Sequence, residues 1–149
     1  MFRTILRLKS TYEMVDVSSK PIQHRTAVAE GKIYFSSEGF HHLTTKGSSK
    51  GNIQQMAEVS GILAAKDTPR LLPLCHTVPI HKVKVEISEV PSESCIKVQA
   101  LAISDARTGV EMEALTAVSI SLLTIYDMCK NFEKNLRITD IHLISKEKV

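Results

Sequence analysis

The chain has 149 residues, of which 43% are hydrophobic and 23% are charged, and its formal net charge is +3. This composition is ordinary for one globular domain, and it excludes collagen-like, coiled-coil and disordered chains. So small a net charge does not by itself indicate a nucleic-acid partner, although it is compatible with an anionic small substrate. No apolar run approaches the ~20 residues of a membrane-spanning helix, so no integral membrane segment is expected.

The cysteines and the N-terminus give expectations about compartment and domain organisation. Cys75, Cys95 and Cys129 are too few and too irregularly spaced for a disulfide framework, which predicts a reducing, cytoplasmic environment. The opening MFRTILRLKS is basic, but it is too short and too charged for a secretory signal. We expect residues 1–12 to be a frayed extension, in preference to a transit segment, and residues 13–149 to form a single domain.

The first predicted elements are a strand, a helix and a loop. Alternation from Val28 to Phe35 predicts a strand that ends at the SSEG turn. Residues 52–66 are predicted to be a helix that Asn52 caps and that the Asp67-Thr68-Pro69 sequence ends. The two prolines of LLPLCHTVPIH, at 71–81, then favour a constrained loop. The apolar positions of the helix, at helical spacing, are Ile53, Met56, Ala57, Ser60, Leu63 and Ala64.

The second half is predicted to be a hairpin, a long helix and a last strand. Residues 83–87 and 96–103 alternate around a PSES turn, which favours an antiparallel pair. A helix is expected at about 111–133 and a strand at 137–145. This order predicts an α+β, ferredoxin-like fold, in which helices pack on one face of an antiparallel β-sheet. The apolar stripe of the long helix is Leu115, Val118, Leu122, Ile125 and Cys129.

The long helix also carries candidate acid/base groups at both of its ends. Asp127 and Lys130 are three positions apart and therefore share a face, which suits either proton transfer or an ordinary surface ion pair. Glu111 and Glu113 lie in the first turn, where they suit either catalysis or simple stabilisation of the helix dipole. Fourteen positions separate Glu113 from Asp127, so about 21 Å separates them along the axis.

Two further segments are candidates for binding. Cys75 and His76 are adjacent in the proline-flanked loop, where a structural cysteine beside a ligand-contacting histidine is favoured over a nucleophilic dyad. Lys50 precedes the first predicted helix in a Gly- and Ser-rich stretch, which is typical of either an anion site or a solvated loop. A metal site is a weaker hypothesis, because no spacing fits a structural zinc pattern. Its ligands would come from Cys75, His76, His81, His41 and His42.

Four segments together resemble the cyclic pyranopterin monophosphate synthases. They are MVDVSSK at 14–20, LLPLCH at 71–76, TGVEMEALTA at 108–117 and LTIYDMCK at 123–130. The likeness runs from about residue 13 to residue 145, and the last two strings are too long and specific to match by chance.

This resemblance implies a lyase of molybdenum cofactor biosynthesis. Such an enzyme converts (8S)-3',8-cyclo-7,8-dihydroguanosine 5'-triphosphate, a cyclised GTP derivative, to cyclic pyranopterin monophosphate and releases pyrophosphate. The resemblance also implies a hexamer built as a trimer of dimers. It makes Asp127 the expected acid/base, with Lys130 and Lys50 as catalytic partners. The expected substrate contacts are Arg25, Leu74, Cys75, His76, Glu111, Met112 and Glu113.

One segment departs from the family pattern. Ser48-Ser49-Lys50-Gly51-Asn52 stands where the family typically has His-His-Lys-Gly-Asp. Lys50 is retained, and Asn52 can still cap a helix. The lost imidazoles and the lost acid leave an alternative hypothesis, a catalytically weakened homologue that still binds nucleotide.

The implied chemistry needs several proton transfers and the closure of a cyclic phosphate, which carboxyl, imidazole and ammonium groups can assist. No redox cofactor is required for such a rearrangement, and no resident metal is indicated. A Mg²⁺ ion carried by the triphosphate is compatible with it. A ferredoxin-like RNA-binding module is a competing hypothesis. With aromatic residues at 5% and no RNP-like string, the sequence does not favour a nucleic-acid partner.

Overall fold

A computed structural model of the chain describes residues 12–149, so the predicted N-terminal extension lies, apart from Tyr12, outside the described residues. The described part alternates strands and helices in the predicted order, with one additional helix. The elements are β1 (Gln23–Tyr34), α1 (Ser37–Lys46), α2 (Ile53–Leu71), β2 (Ile80–Val90), a 3₁₀ turn (Pro91–Glu93), β3 (Cys95–Ala106), α3 (Glu111–Cys129) and β4 (Arg137–Lys148).

The four strands form one antiparallel sheet in the order β2-β3-β1-β4. The central strands β1 and β3 pair along their whole length, from Gln23 opposite Ala106 to Tyr34 opposite Cys95. Alternate side chains of both strands are buried on one face, where α2 and α3 cover the sheet. This arrangement confirms the predicted α+β, ferredoxin-like class.

Helix α3 is the centre of the core. Val118, Leu122, Ile125 and Cys129 are completely buried and Leu115 is partly buried, which confirms the predicted stripe. By length and composition α3 could cross a membrane, but half of its apolar window is buried inside the protein, which is the pattern of a core helix. The helix ends at Cys129, four residues before the predicted end.

Helix α2 packs on α3 through small residues, so its predicted apolar stripe is partly wrong. Gly61 lies so close to α3 that a Cβ there would collide with the Ser121 hydroxyl and would come within 3.0 Å of the Ala117 carbonyl oxygen. The close approach places the small side chains of α2 in the interface. Met56 and Leu63, which the stripe placed in the core, are therefore exposed at 53% and 58%.

Two predicted boundaries are also wrong. The SSEG segment is not a turn after β1 but the start of α1, where the Ser36 side chain caps the helix by accepting a hydrogen bond from the Gly39 N–H. Helix α2 continues through Pro69 to Leu71. Thr68 is completely buried, and its hydroxyl donates to the Ala64 carbonyl, so core packing extends the helix beyond the predicted stop.

Candidate active site

Two lysines and one aspartate meet at the C-terminal end of α3. Lys130 Nζ lies 2.6 Å from one carboxylate oxygen of Asp127, and Lys50 Nζ lies 2.6 Å from the other. Lys50 Nζ also donates to the Asp127 backbone carbonyl at 2.9 Å. We call Lys50, Asp127 and Lys130 the lysine–aspartate cluster. The i,i+3 spacing predicted the contact between Asp127 and Lys130, and the fold adds Lys50 from the loop between α1 and α2.

The lysine–aspartate cluster is open to solvent and carries an excess of positive charge. The side chains of Lys50, Asp127 and Lys130 are exposed at 44%, 55% and 57%. Hydrogen bonds from Lys130 and then from Lys50 lower the pKa of Asp127 to about 2, so its carboxylate is ionised at neutral pH. The same ion pair raises the pKa of Lys130. Because two ammonium groups share one carboxylate, positive charge remains in the cluster and can attract an anionic ligand.

A mostly apolar cavity of about 640 Å³ lies at the opposite end of α3. We call it the loop cavity, because the loop between α2 and β2 and the turn before α3 line it. Leu74 and Met112, which are 51% and 41% exposed, lie in its lining, and Thr108 and Gly109 form the turn. The cavity thus brings together five of the predicted substrate contacts: Leu74, Cys75, His76, Glu111 and Met112.

Cys75 and His76 have different environments although they are adjacent. Burial raises the pKa of the Cys75 thiol, with a further contribution from the charge of Glu113, so the thiol is not activated as a nucleophile. His76 Nε2–H donates to the Val15 carbonyl oxygen at 2.7 Å. Arg107 holds the same N-terminal segment by donating to the carbonyl oxygens of Ser18 and Lys20. The Nε2–H of His76 is thus hydrogen-bonded to the segment that carries the MVDVSSK string.

Glu113 is a buried acid with no hydrogen-bond partner in residues 12–149. The residue is only 1% exposed, and neither carboxylate oxygen is hydrogen-bonded within the described part of the chain. Burial raises the pKa of this carboxyl. The nearby backbone N–H of Glu113 itself, which does not form a hydrogen bond of normal geometry with it, lowers the pKa in part, and the charge of Glu111 raises it. An unpaired buried acid is typical of a group reserved for a ligand or for proton transfer.

Glu111 faces a second, smaller cavity of about 280 Å³ with basic residues around it. Lys146 Nζ lies 3.2 Å from the Glu111 carboxylate. Arg25 also lines this cavity, and its guanidinium donates a hydrogen bond to the Gln23 side chain at 2.9 Å. The carboxylate folds back over Gly109, where any side chain would collide with it. Sequence reasoning did not find Lys146, because an isolated lysine in a strand gives no signal until β4 pairs beside β1.

The candidate residues thus form two groups at the two ends of α3. The lysine–aspartate cluster lies at one end, and the loop cavity with Glu111, Glu113 and Arg25 lies at the other. Within residues 12–149, no group of three or more histidine, cysteine, aspartate or glutamate side chains is arranged to hold a metal ion. His81 of the metal hypothesis instead contacts Asp105 at 3.3 Å on the sheet.

Comparison with known proteins assigns the family. The model of the MoaC family matches residues 14–148. The chain is 48% identical over 144 residues to the cyclic pyranopterin monophosphate synthase of Campylobacter lari, covering 97% of this chain and 92% of that protein. It is 44% identical to the enzyme of the same name from Desulforapulum autotrophicum and 45% identical to that from Salinibacter ruber. These two alignments cover 89% of this chain and 82% and 78% of the relatives. The chain therefore belongs to the MoaC family.

Proposed function

We propose that the protein is a cyclic pyranopterin monophosphate synthase of molybdenum cofactor biosynthesis. Its substrate is the cyclised GTP derivative (8S)-3',8-cyclo-7,8-dihydroguanosine 5'-triphosphate, and its products are cyclic pyranopterin monophosphate and pyrophosphate. The observation that carries this proposal is the family match over residues 14–148, a range that includes every candidate site residue.

The geometry of the lysine–aspartate cluster supports a role at the phosphate end of the substrate. Each ammonium group has three donors, so Lys50 and Lys130 can contact phosphate oxygens while they remain paired with Asp127. These charges would stabilise the negative charge that develops as the α-phosphorus is attacked and pyrophosphate leaves. With its pKa held at about 2, Asp127 begins as a proton acceptor and as the partner that orients both lysines.

The two ends of α3 differ in the chemistry that they can support. The loop cavity, with its mostly apolar walls, suits a flat purine or pterin ring. Glu113 lies at the same end of α3, and burial raises the pKa of its carboxyl, which suits it to proton transfer. We expect no resident cofactor, and a Mg²⁺ ion carried by the triphosphate is compatible with this arrangement.

The weakened-homologue alternative gains no support from the comparisons, since the relatives reported above all carry the name of the synthase. Asn52 keeps the capping role expected of it, because its side-chain oxygen accepts from the Gln55 N–H at 2.9 Å. Lys50 reaches Asp127 although Ser48, Ser49 and Asn52 stand where the family typically has two histidines and an aspartate.

A turnover assay tests the proposed function directly. The protein is incubated with the cyclised GTP intermediate, and the product is oxidised to a fluorescent pterin and quantified. The Asp127→Asn variant is the matched control for background conversion. Substrate binding without turnover would favour the weakened homologue, and neither binding nor turnover would contradict the assignment.

We also propose that the protein is cytoplasmic and forms a hexamer built as a trimer of dimers. All three cysteines are free, which suits a reducing compartment. A row of exposed apolar side chains on α2 and α3 supports an interface between subunits. It consists of Met56, Val59 and Leu63 on α2 and Leu123 and Tyr126 on α3, which are exposed at 53%, 55%, 58%, 55% and 37%.

The distance between the two groups of candidate residues on α3 supports an active site that is shared between two subunits. Glu113 and Asp127 are about 21 Å apart along the axis, too far to act on one atom, but fourteen steps of 100° return them to within about 40° of one face. An antiparallel α3 from a two-fold partner would place one subunit's Glu113 near the other's Asp127. In the alternative, one chain holds opposite ends of an elongated triphosphate, or Glu113 is only a helix-start acid.

Subunit mixing distinguishes these arrangements. Inactive Glu113→Ala and Asp127→Asn proteins are combined under conditions that exchange subunits, and exchange is verified by mass spectrometry. If the site is shared, each mixed dimer contains one intact site, and random pairing restores roughly a quarter of the sites. Proven exchange without any recovery would place both functions within one chain.

A further inference from the structure

Ser48 connects the backbone of Lys50 to the end of α3. Its hydroxyl donates to the Met128 carbonyl oxygen at 2.8 Å and accepts from the Lys50 backbone N–H at 3.2 Å. A serine hydroxyl has one donor and two acceptor positions, so both bonds can form at once. The turn is closed by Gly51, whose N–H donates to the Ser48 carbonyl oxygen at 3.2 Å.

The position of this contact matters because Met128 is the residue after Asp127. Ser48 therefore fixes the main chain of Lys50 to one residue of α3, while the ammonium group of Lys50 binds the residue before it. An exposed ion pair alone fixes a flexible lysine poorly, because its small electrostatic gain is opposed by side-chain entropy. Because Ser48 fixes the main chain of Lys50, only the Lys50 side chain must be ordered to form the ion pair with Asp127.

We propose that Ser48 is a positioning residue that holds Lys50 in the lysine–aspartate cluster. Ser48 acts through Lys50 and needs no contact with substrate. Its effect on turnover rests on the function proposed above, whereas its effect on the placement of Lys50 does not. Ser48 lies in the segment that departs from the family pattern, where a serine replaces an imidazole and the contact to α3 is made by a hydroxyl.

Three variants test this role through kinetics. Ser48→Ala removes both bonds and should lower kcat roughly three- to tenfold, the effect of losing about one net hydrogen bond. Ser48→Thr keeps the hydroxyl and should restore most of the rate. Ser49→Ala is the matched control, because Ser49 is exposed and its side chain makes no hydrogen bond within residues 12–149, and it should leave kcat unchanged.

A second measurement is independent of turnover. Trace acetylation of the intact protein near neutral pH, followed by peptide mass spectrometry, reports how freely each lysine reacts. The ratio of labelling at Lys50 to labelling at Lys46, an exposed lysine in the last turn of α1, should rise roughly two- to fivefold in Ser48→Ala. It should not change in Ser49→Ala. A general loss of stability would raise labelling at both lysines and leave the ratio constant.

The outcomes separate the two proposals. If the unmodified protein converts the cyclised GTP intermediate, equal kcat values for Ser48→Ala and Ser49→Ala overturn the positioning role. If the unmodified protein has no turnover, the proposed function fails, and the labelling ratio alone decides on Ser48. An unchanged Lys50 to Lys46 ratio in Ser48→Ala overturns the inference in either case.

Discussion

Replacing Glu113 by glutamine should stabilise the protein in a pH-dependent way. Glu113 is 1% exposed and neither carboxylate oxygen has a partner in residues 12–149, so its ionised form is poorly solvated in the folded state. Glutamine has nearly the same shape and cannot ionise. The substitution therefore removes the cost of a buried charge while it keeps the packing at the start of α3.

The sign and size of this effect follow from the burial. Burial raises the pKa of the Glu113 carboxyl above its usual 4.5. Below 4.5 the carboxyl is protonated in both the folded and the unfolded states, so Glu113 adds no pH-dependent cost. As the pH rises from 4.5 through the folded-state pKa, the unfolded chain ionises first and the wild type loses stability. Above the folded-state pKa, an unpaired buried group costs about 1–3 kcal/mol.

Denaturant unfolding at about pH 4 and about pH 8, at one protein concentration, measures the difference. The advantage of Glu113→Gln over the wild type should grow between these two pH values by about 1–3 kcal/mol. Glu111→Gln is the control. Glu111 pairs with Lys146 at 3.2 Å, so its replacement should give no gain at either pH. A Glu113→Gln advantage that stays constant or shrinks as the pH rises would refute the reasoning.

Three further predictions concern the lysine–aspartate cluster and its surroundings. Asp127→Asn and Lys130→Ala should each abolish turnover with an unchanged circular dichroism spectrum, and a loss under ~10-fold, about 1.4 kcal/mol, would contradict their catalytic assignment. Asn52→Asp should raise turnover or leave it unchanged, because an acid near Lys50 favours its charged form, whereas a clear drop would show that Asn52 is adapted to this protein. Dialysis against a chelator should leave the melting temperature unchanged, and a large fall would revive the metal hypothesis.

The elements that sequence reasoning predicted well are those whose own pattern contains the information. Strands β1 and β3 bury alternate side chains, and the stripe on α3 has helical spacing, so a period of two or of 3.6 residues is visible along the chain. The contact between Asp127 and Lys130 was predictable for the same reason, because it joins neighbours on one helix face.

Helix α1 was missed because distant residues hold it. Ser36 is bound through both its N–H and its hydroxyl by the Glu133 carboxylate, and His42 stacks on Phe132 with ring centroids 4.2 Å apart. These partners follow α3, nearly a hundred residues later. Without them, SSEG is an ordinary turn sequence, and a helix of ten residues is marginal by itself.

The sequence alone determined the family, the order of the principal strands and helices, and the residue types available for chemistry, since these depend on local pattern and on strings such as TGVEMEALTA. Tertiary structure decided how those residues are grouped. It brought Lys50 to Asp127 across 77 positions, buried Glu113 without a hydrogen-bond partner among residues 12–149, and turned Met56 and Leu63 toward solvent. Each of these outcomes depends on which secondary-structure elements pack together. The close contact of α2 with α3 at Gly61, for example, is set by the space between the two helices, and the spacing of apolar residues along either helix does not reveal it.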